Sequence, residues 1–352
     1  MSSACCCNVA APRLSGHWIA GYQDTAAGRV PRVFSRWTWR DRLGACAVRW
    51  GIGRMRYTVP PGLYAVGAPG PDSPLLVSAN YKLSFDHVRR AIAGVDVWLL
   101  VLDTKGVNVW CAAGKGTFGT DELVGRLAAT GAGKVVVHRT LIVPQLGAPG
   151  VAAHEVSRRT GFRCVYGPVR TRDLPAFLRD GMRATPDMRR VSFTLRERLA
   201  VVPVELVRHF VPALAATAAL VLMTGFGSHG SRLSWDRALW VCGAVGANYL
   251  FGLIGVPVLL PWLPGRAFAV KGAVVGALLG VALVGCSPWG WLEKGTVALL
   301  SVAACSFFGL TFTGSTPYTS ASGVRRELRW AIPLQGVAAI TGALGWIAAQ
   351  FV

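Results

Sequence analysis

The spacing of apolar positions changes character near residue 186. Upstream, short apolar runs alternate with stretches of helical period. Residues 75–77 read as a short strand. Phe85, Val88, Arg89 and Ile92 mark one face of a helix, with Ser84 as its N-cap. The unbroken run Val97–Leu102 predicts a strand buried on both faces. The spacing then predicts a helix over 120–130 ended by Gly131, a strand at 135–137, and a helix over 151–160 closed by Gly161. A strand at 162–166 and a helix over 173–181 follow. Strand and helix alternating at this spacing imply a Rossmann-like α/β domain with a mostly parallel sheet.

Downstream, the apolar stretches lengthen to about 203–226, 238–263, 267–286, 295–313 and 330–351. Each is long enough, or nearly so, to cross a hydrocarbon core of about 30 Å. The expected plan is therefore an α/β domain over 59–185, a basic linker over 186–202 and an all-α domain of five transmembrane helices over 203–352. Arg183, Arg189, Arg190, Arg196 and Arg198 form a basic collar before the first span, which places the α/β domain in the cytosol by the positive-inside rule. The loops after the second span (Arg266, Lys271) and after the fourth (Arg325, Arg326, Arg329) fall on the same side; the outer loops carry Arg232, Arg237 and Lys294. The expected location is the inner (cytoplasmic) membrane, multi-pass. Asn248 is the most interior polar residue of the spans, suited to an interhelical hydrogen bond, whereas Glu205, His209 and Lys271 lie near span ends and are expected to snorkel.

Residues 1–58 are a poorly defined extension, rich in Arg and Trp (Trp18, Trp37, Trp39, Trp50). Two readings stay open for it: a poorly ordered lead-in, or a packing extension that touches the membrane surface. Residues 1–12 lack the basic and apolar regions of a signal peptide. Cys5, Cys6 and Cys7 either belong to a disordered tail or offer adjacent thiols to Hg(II) or to an exchange partner.

Composition sharpens this picture. The chain has 352 residues, is 52% hydrophobic and carries a net charge of +20, most of it from Arg. A basic chain suits nucleic acid or anionic lipid, but no interleaved basic–aromatic nucleic-acid module is present, so the membrane takes the charge and nucleic acid is excluded as a partner. The nine cysteines include no C-x-x-C, which argues against an iron–sulfur cluster or zinc ribbon held by this chain. Their scattered spacing also suits a reducing compartment.

The chemistry concentrates at Asn108, Val109, Trp110, Cys111, Ala112, Ala113, Gly114 and Lys115. This segment follows the run ending at Leu102 and precedes the helix that begins near Thr120. It therefore lies beyond the carboxyl end of a strand, where open α/β sheets bind ligands. Small residues beside a thiol admit a large flat ligand, and a thiolate prefers soft or borderline metals. The competing reading is a buried structural cysteine. Gly114, Gly116 and Gly119 also fit a G-x-G-x-x-G fingerprint, which keeps a membrane-bound NADP-dependent oxidoreductase as an alternative. A non-catalytic membrane sensor or scaffold is a third class. The expected next strand, however, ends in His138 and Arg139 rather than an acidic residue. The loop 143–150 holds Gln145, Leu146 and Gly147, either as a turn or as the wall facing the ligand. His138 and His154 read as local hydrogen-bonding residues.

The segment Asn108 to Lys115 resembles the cap-helix motif of the corrinoid protein of the microbial mercury-methylation pair (the HgcA family), which is related to the corrinoid-binding domain of the corrinoid iron–sulfur protein. Residues 60–67, 79–86, 102–106, 143–150 and 311–316 are similar to that family as well; residues 317–323 match more loosely, with Pro317, Tyr318 and Ala321 departing from the pattern. The resemblance implies a cobalamin-type corrinoid with Cys111 as the lower axial cobalt ligand and the sole catalytic residue. Asn108 through Lys115, Thr117, Thr120, Gln145, Leu146 and Gly147 would then bind the cofactor. It further implies transfer of a methyl group to Hg(II) to give methylmercury. A methyl-folate-linked donor would supply the methyl group, and a ferredoxin-like partner with 4Fe–4S clusters the electrons.

Overall fold

The computed structural model describes residues 16–224, 235–316, 319 and 321–351. Cys5, Cys6, Cys7 and Arg232 lie outside them. The chain divides into two compact units, one of residues up to Val48 and from Gly53 to Val191, the other of Arg49–Ile52 and Ser192–Val352.

The first unit is built on β1 (Ile19–Thr25), β2 (Gly28–Val33), α1 (Trp39–Arg49), β3 (Gly62–Val66), β4 (Leu75–Ala79), α2 (Lys82–Ala91) and β5 (Val97–Leu102). It continues through α3 (Val109–Lys115), α4 (Thr120–Thr130), α5 (Ala132–Val135), β6 (Thr140–Val143), α6 (Ala153–Thr160), β7 (Arg163–Tyr166), α7 (Leu174–Arg179) and α8 (Pro186–Arg189). The strands form one seven-stranded sheet in the order β1-β2-β3-β5-β4-β6-β7. The run β5-β4-β6-β7 is parallel, whereas β1 pairs antiparallel with β2 and β3 antiparallel with β5. The sheet is therefore mixed, and its parallel half carries the connections that matter for the site.

Strand β5 explains its own sequence. Val97, Leu99 and Val101 enter one apolar cluster with Phe85, Ile92 and Phe177, while Trp98, Leu100 and Leu102 enter another with Phe118, Leu123 and Leu127. Helices cover both faces, so every position must be apolar.

Three local expectations change. Residues 19–49 are not a poorly defined extension: they supply β1, β2 and α1 to the same sheet domain. Asp41, Lys82, Asp86 and Arg89, all buried, hold this segment in place. The run at 135–137 is not a strand; α5 ends there, Val137 is 68% exposed, and the strand is β6 instead. A three-residue apolar run does not distinguish helix end from strand. Helix α2 starts at Lys82 with Tyr81 as N-cap, not at Ser84: the Tyr81 carbonyl already accepts from the Phe85 N–H at 3.1 Å, while the Lys82 N–H is taken by the Tyr57 carbonyl.

The second unit contains α9 (Leu195–Leu199), α10 (Val202–Met223), α11 (Trp235–Leu250), α12 (Val256–Leu259), α13 (Phe268–Gly285), α14 (Trp291–Phe312) and α15 (Ala321–Ala348). A π-helical turn at Phe251–Gly255 joins α11 to α12. Among the described residues, five helical segments are long and apolar enough to cross a membrane: Leu195–Met223, Trp235–Leu259, Phe268–Gly285, Trp291–Phe312 and Ser322–Ala348. Helix α13 meets α14 along Gly272, Gly276 and Gly280. A Cβ at Gly272 would stand 2.2 Å from the Cys305 carbonyl oxygen and one at Gly276 2.3 Å from that of Ser301, so only glycine permits this approach. Asn248 donates to Ser301 Oγ at 3.1 Å across helices.

The expectation of snorkelling is not met. Glu205 is 2% exposed and lies 3.5 Å from His209, one turn further along α10 and also buried. Lys271 donates to the carbonyls of Leu260 and Leu263, in the turn that follows the preceding span. Each polar group meets a protein partner nearby, which removes the need to reach outward.

Candidate functional site around Cys111

Because β4 to β7 run parallel, their carboxyl ends lie along one edge of the sheet. Asn80 follows β4 there and organises the loop after β5. Its Oδ1 accepts from the backbone N–H of Thr104 at 3.1 Å and of Gly106 at 3.0 Å, and from the Thr104 hydroxyl at 2.8 Å. Its Nδ2 donates to Asp103 Oδ1 at 3.2 Å. Glu122 accepts from the Asp103 N–H at 2.7 Å and is held in turn by Arg126. Lys105, with φ 56, takes the left-handed conformation at the turn and pairs with Asp103. That hydrogen bond from Lys105 keeps the Asp103 carboxyl below its usual pKa.

This braced loop delivers the chain to α3. Asn108 caps the helix by accepting from the Cys111 N–H at 2.9 Å. Gly116, with φ 81, closes the other end. Between the caps the helix has two distinct faces. Ala112 and Ala113 are 0% and 5% exposed and sink into the cluster around Phe118 and Leu123. Cys111 is half-buried, and Gly114 and Lys115 are exposed. A Cβ placed at Gly114 or Gly116 would meet nothing within 4 Å. Cys111 is therefore only half-buried on a helix whose inner side, through Ala112 and Ala113, is fixed in the core.

The facing loop is joined closely to this helix. Gln145–Gly147 forms a 3-10 turn packed on α3. A Cβ at Gly147 would lie 2.5 Å from the Phe118 ring, and one at Gly150 would lie 2.1 Å from the Phe118 carbonyl oxygen and 3.1 Å from Ala113 Cα. Thr120 accepts from the Ala152 N–H at 2.9 Å, and its own N–H donates to the Gly150 carbonyl at 3.2 Å. The structure thus brings Asn108 to Lys115, Thr117, Thr120 and Gln145 to Gly147 into one neighbourhood, though with different duties. The Thr120 hydroxyl is engaged by backbone, and Thr117 Oγ1 makes only a long 3.5 Å contact with the Ala112 carbonyl. Gln145 accepts from Arg189 at 2.9 Å, and Val109 packs against the core.

Asn80, Glu122 and Phe118 carry this arrangement without having been singled out, together with Arg189, which the sequence marked only as part of the basic collar. A pattern of periodic apolar residues gives no sign of a side chain that bonds to backbone some two dozen positions away. The G-x-G-x-x-G fit does not survive its context: Gly114 lies inside α3 and Gly116 at its end, not in a turn between strand and helix. His138 Nδ1 accepts from the Thr140 N–H at 3.2 Å, as a local hydrogen-bonding residue does, and its Nε2 also lies 2.9 Å from the distant Ser73 carbonyl. Cys164, the other described cysteine of the sheet core, has its thiol pushed up to about 11 by burial and is unsuited to act as a thiolate. Among the described residues no group of three or more His, Cys, Asp or Glu could hold a metal ion. A cavity of about 510 Å³ lies among the long helices, lined by His209, Asn248 and Gln335 among others, but it belongs to the second unit and no sulfur lines it.

Residues 53–178 match the family of the CO dehydrogenase/acetyl-CoA synthase delta subunit. The acetyl-CoA decarbonylase/synthase complex subunit gamma of Methanopyrus kandleri is 34% identical over 122 residues, covering 34% of this chain and 26% of the relative. That of Archaeoglobus fulgidus is 33% identical over 113 residues, 32% of this chain and 24% of the relative. That of Methanocaldococcus jannaschii is 32% identical over 129 residues, 36% and 26%. The chain spans about a quarter of the length of these relatives. The sheet domain that bears Cys111 is therefore similar to a domain of the CO dehydrogenase/acetyl-CoA synthase subunits.

Proposed function

We propose that the sheet domain binds a corrinoid through Cys111 and that the protein is a membrane-anchored methyl carrier whose acceptor is Hg(II). The observation that carries this is the half-buried Cys111, held by the Asn108 cap on a helix whose other face is anchored in the core. The match of residues 53–178 to subunits of acetyl-CoA chemistry supports it, as does the resemblance of the cap-helix segment.

The residues present fit such a group. A single sulfur is a soft donor suited to cobalt, and the open space beside Gly114 and Gly116 leaves room for a flat ring. When bound, a corrinoid would supply a methyl group carried on cobalt. Cys111 would hold the metal through sulfur. Asn108 fixes the position of that sulfur by tying down the Cys111 N–H. Gly147 and Gly150 let the facing loop close against α3, and Gln145, Leu146, Thr117 and Thr120 would border the ring. Hg(II), a soft cation, would suit a methyl group supplied with its electron pair, and a thiolate from Cys111, a stronger donor than imidazole, would favour that chemistry.

The chain has no C-x-x-C spacing, so low-potential electrons come from a ferredoxin-like partner with iron–sulfur clusters, and the methyl group from a methyl-folate-linked donor. The length and apolarity of the five helices support their reading as spans, and the Arg-rich chain before them supports a cytosolic sheet domain.

The test is the visible spectrum of the purified protein with added corrinoid, read beside methylmercury formation. Wild type and Cys111→His should both bind corrinoid, with different cobalt spectra, and the His variant should methylate Hg(II) poorly. Identical spectra in wild type, Cys111→His and Cys111→Ala would remove Cys111 from the cobalt. Corrinoid binding without methylmercury under reducing conditions would sink the mercury acceptor alone.

A further inference from the structure

Helix α1 has two faces of opposite chemistry. Asp41, Ala45 and Val48 point inward and are 0%, 2% and 1% exposed. Asp41 is bound by Lys82 at 2.7 Å and lies 2.9 Å from Arg89 Nη2. It also accepts from the Thr38 N–H at 2.8 Å, and His17 Nε2 lies 2.8 Å from it. The helix therefore cannot turn about its axis without breaking a buried ion-pair cluster. The outward face is fixed as well.

That face carries Trp39, Leu43 and Cys46, at i, i+4 and i+7, which one side of an α-helix aligns. Trp39 is 66% and Leu43 59% exposed, and Cys46 is exposed. Arg40 and Arg42, both exposed, flank the stripe on opposite sides, about 100° and about 60° around the helix from Trp39. The Arg40 guanidinium lies 5.5 Å from the centroid of the Trp39 ring. The only acidic residue of α1 is Asp41, and it is buried.

Such a face needs an occupant that accepts apolar side chains in the middle and cations at both margins. An anionic phospholipid surface has that profile. Its acyl boundary takes Trp and Leu, and its phosphates take Arg, whose long stem lets the charge stay at headgroup level. We propose that α1 is an interfacial anchor that sets Trp39 and Leu43 into the headgroup region of an anionic bilayer, with Arg40 and Arg42 on the lipid phosphates. This rests on the reading of the five helices as spans, which keep the sheet domain within reach of the membrane.

The test uses the full chain in proteoliposomes of phosphatidylcholine, with or without phosphatidylglycerol. A photoreactive p-benzoylphenylalanine is placed at Trp39, at Leu43, or as a control at exposed His154 of α6. Irradiation should give lipid adducts at 39 and 43 and none at 154, with a higher yield when phosphatidylglycerol is present. Arg40→Gln together with Arg42→Gln should lower the phosphatidylglycerol adduct by about thirtyfold, since each basic residue near an anionic surface is worth about 1 kcal/mol. Alkaline carbonate extraction of the same liposomes reads the spans separately. A chain that resists extraction yet gives only protein adducts, or none, at 39 and 43 overturns the anchor and leaves the spans standing. A chain that washes out overturns both.

Discussion

Two parts of the sheet domain handle polarity in opposite ways. Around Asp41, four charged side chains are buried together: Asp41 and Asp86 alternate with Lys82 and Arg89 at 2.6 to 2.9 Å, and Arg89 also donates to the carbonyls of Phe34 and Arg36. Burial alone would raise the Asp41 pKa, but hydrogen bonds from Lys82, Thr38, His17 and Arg89 outweigh it and hold the carboxyl far below its usual range. Around Cys111, by contrast, one cap bond and two close glycine contacts hold a seven-residue helix. The first region is saturated with partners and offers nothing to a ligand. The second leaves Cys111 half-buried, with open space at Gly114 and at the Gly116 cap. Rigidity and chemistry are thus placed at different points of one sheet, and single substitutions should separate them.

The largest separation is expected for Cys111→Ala. The side chain is small and only half-buried, so folding and membrane insertion should match wild type, while methylmercury formation should fall to a small fraction of it. Full activity in this variant would end the contrast at its functional pole.

Asp41→Asn or Asp41→Ala tests the other pole. Removing one member of a buried ion-pair cluster leaves the opposite charges uncompensated and should cost about 3–5 kcal/mol. The sign with pH follows from the depressed pKa. The stabilisation is fully present above the unfolded carboxyl pKa of about 3.9 and fades only as pH falls below it. Denaturation of detergent-solubilised protein should therefore show a constant gap between wild type and Asp41→Asn from neutral pH down to about pH 4, closing in stronger acid. A gap that closes already near neutrality would contradict the ion-pair assignment.

Gly150→Ala lies between the poles. Its Cβ would collide with the Phe118 carbonyl oxygen, so the loop must move off α3; a loss of about 1–3 kcal/mol is expected, together with weaker corrinoid binding. Unchanged binding and stability would show that the loop does not close against the helix. The smallest effect is expected for Asn108→Ala, which removes one helix cap and should cost about 1 kcal/mol. Its readout is a shift in the cobalt spectrum as Cys111 loses its fixed position, with little change in the amount of corrinoid bound.

Local sequence carried much of this. The buried strand Val97–Leu102 declares itself because all six positions must be apolar, and helices α4 and α6 are announced by Gly131 and Gly161, which end them in the left-handed conformation. The cysteine beside small residues was equally visible, because it is a local feature of a few adjacent positions. Residues 135–137 misled, since three β-branched residues look alike at a helix end and in a strand. The segment 19–49 looked shapeless because its order comes from Lys82 and Arg89, about forty to fifty positions further on.

By itself, then, the sequence determined an α/β domain followed by long apolar helices and marked the thiol at Cys111, because hydrophobic period, caps and span length act over a few turns of chain. Only the tertiary structure decided that the amino-terminal segment completes the sheet, that Asn80 and Glu122 brace the loop ahead of Cys111, and that Gly147 and Gly150 bring a distant loop onto α3. These depend on hydrogen bonds, ion pairs and close backbone contacts between residues far apart in the chain, and such contacts exist only once the sheet has brought its strands together.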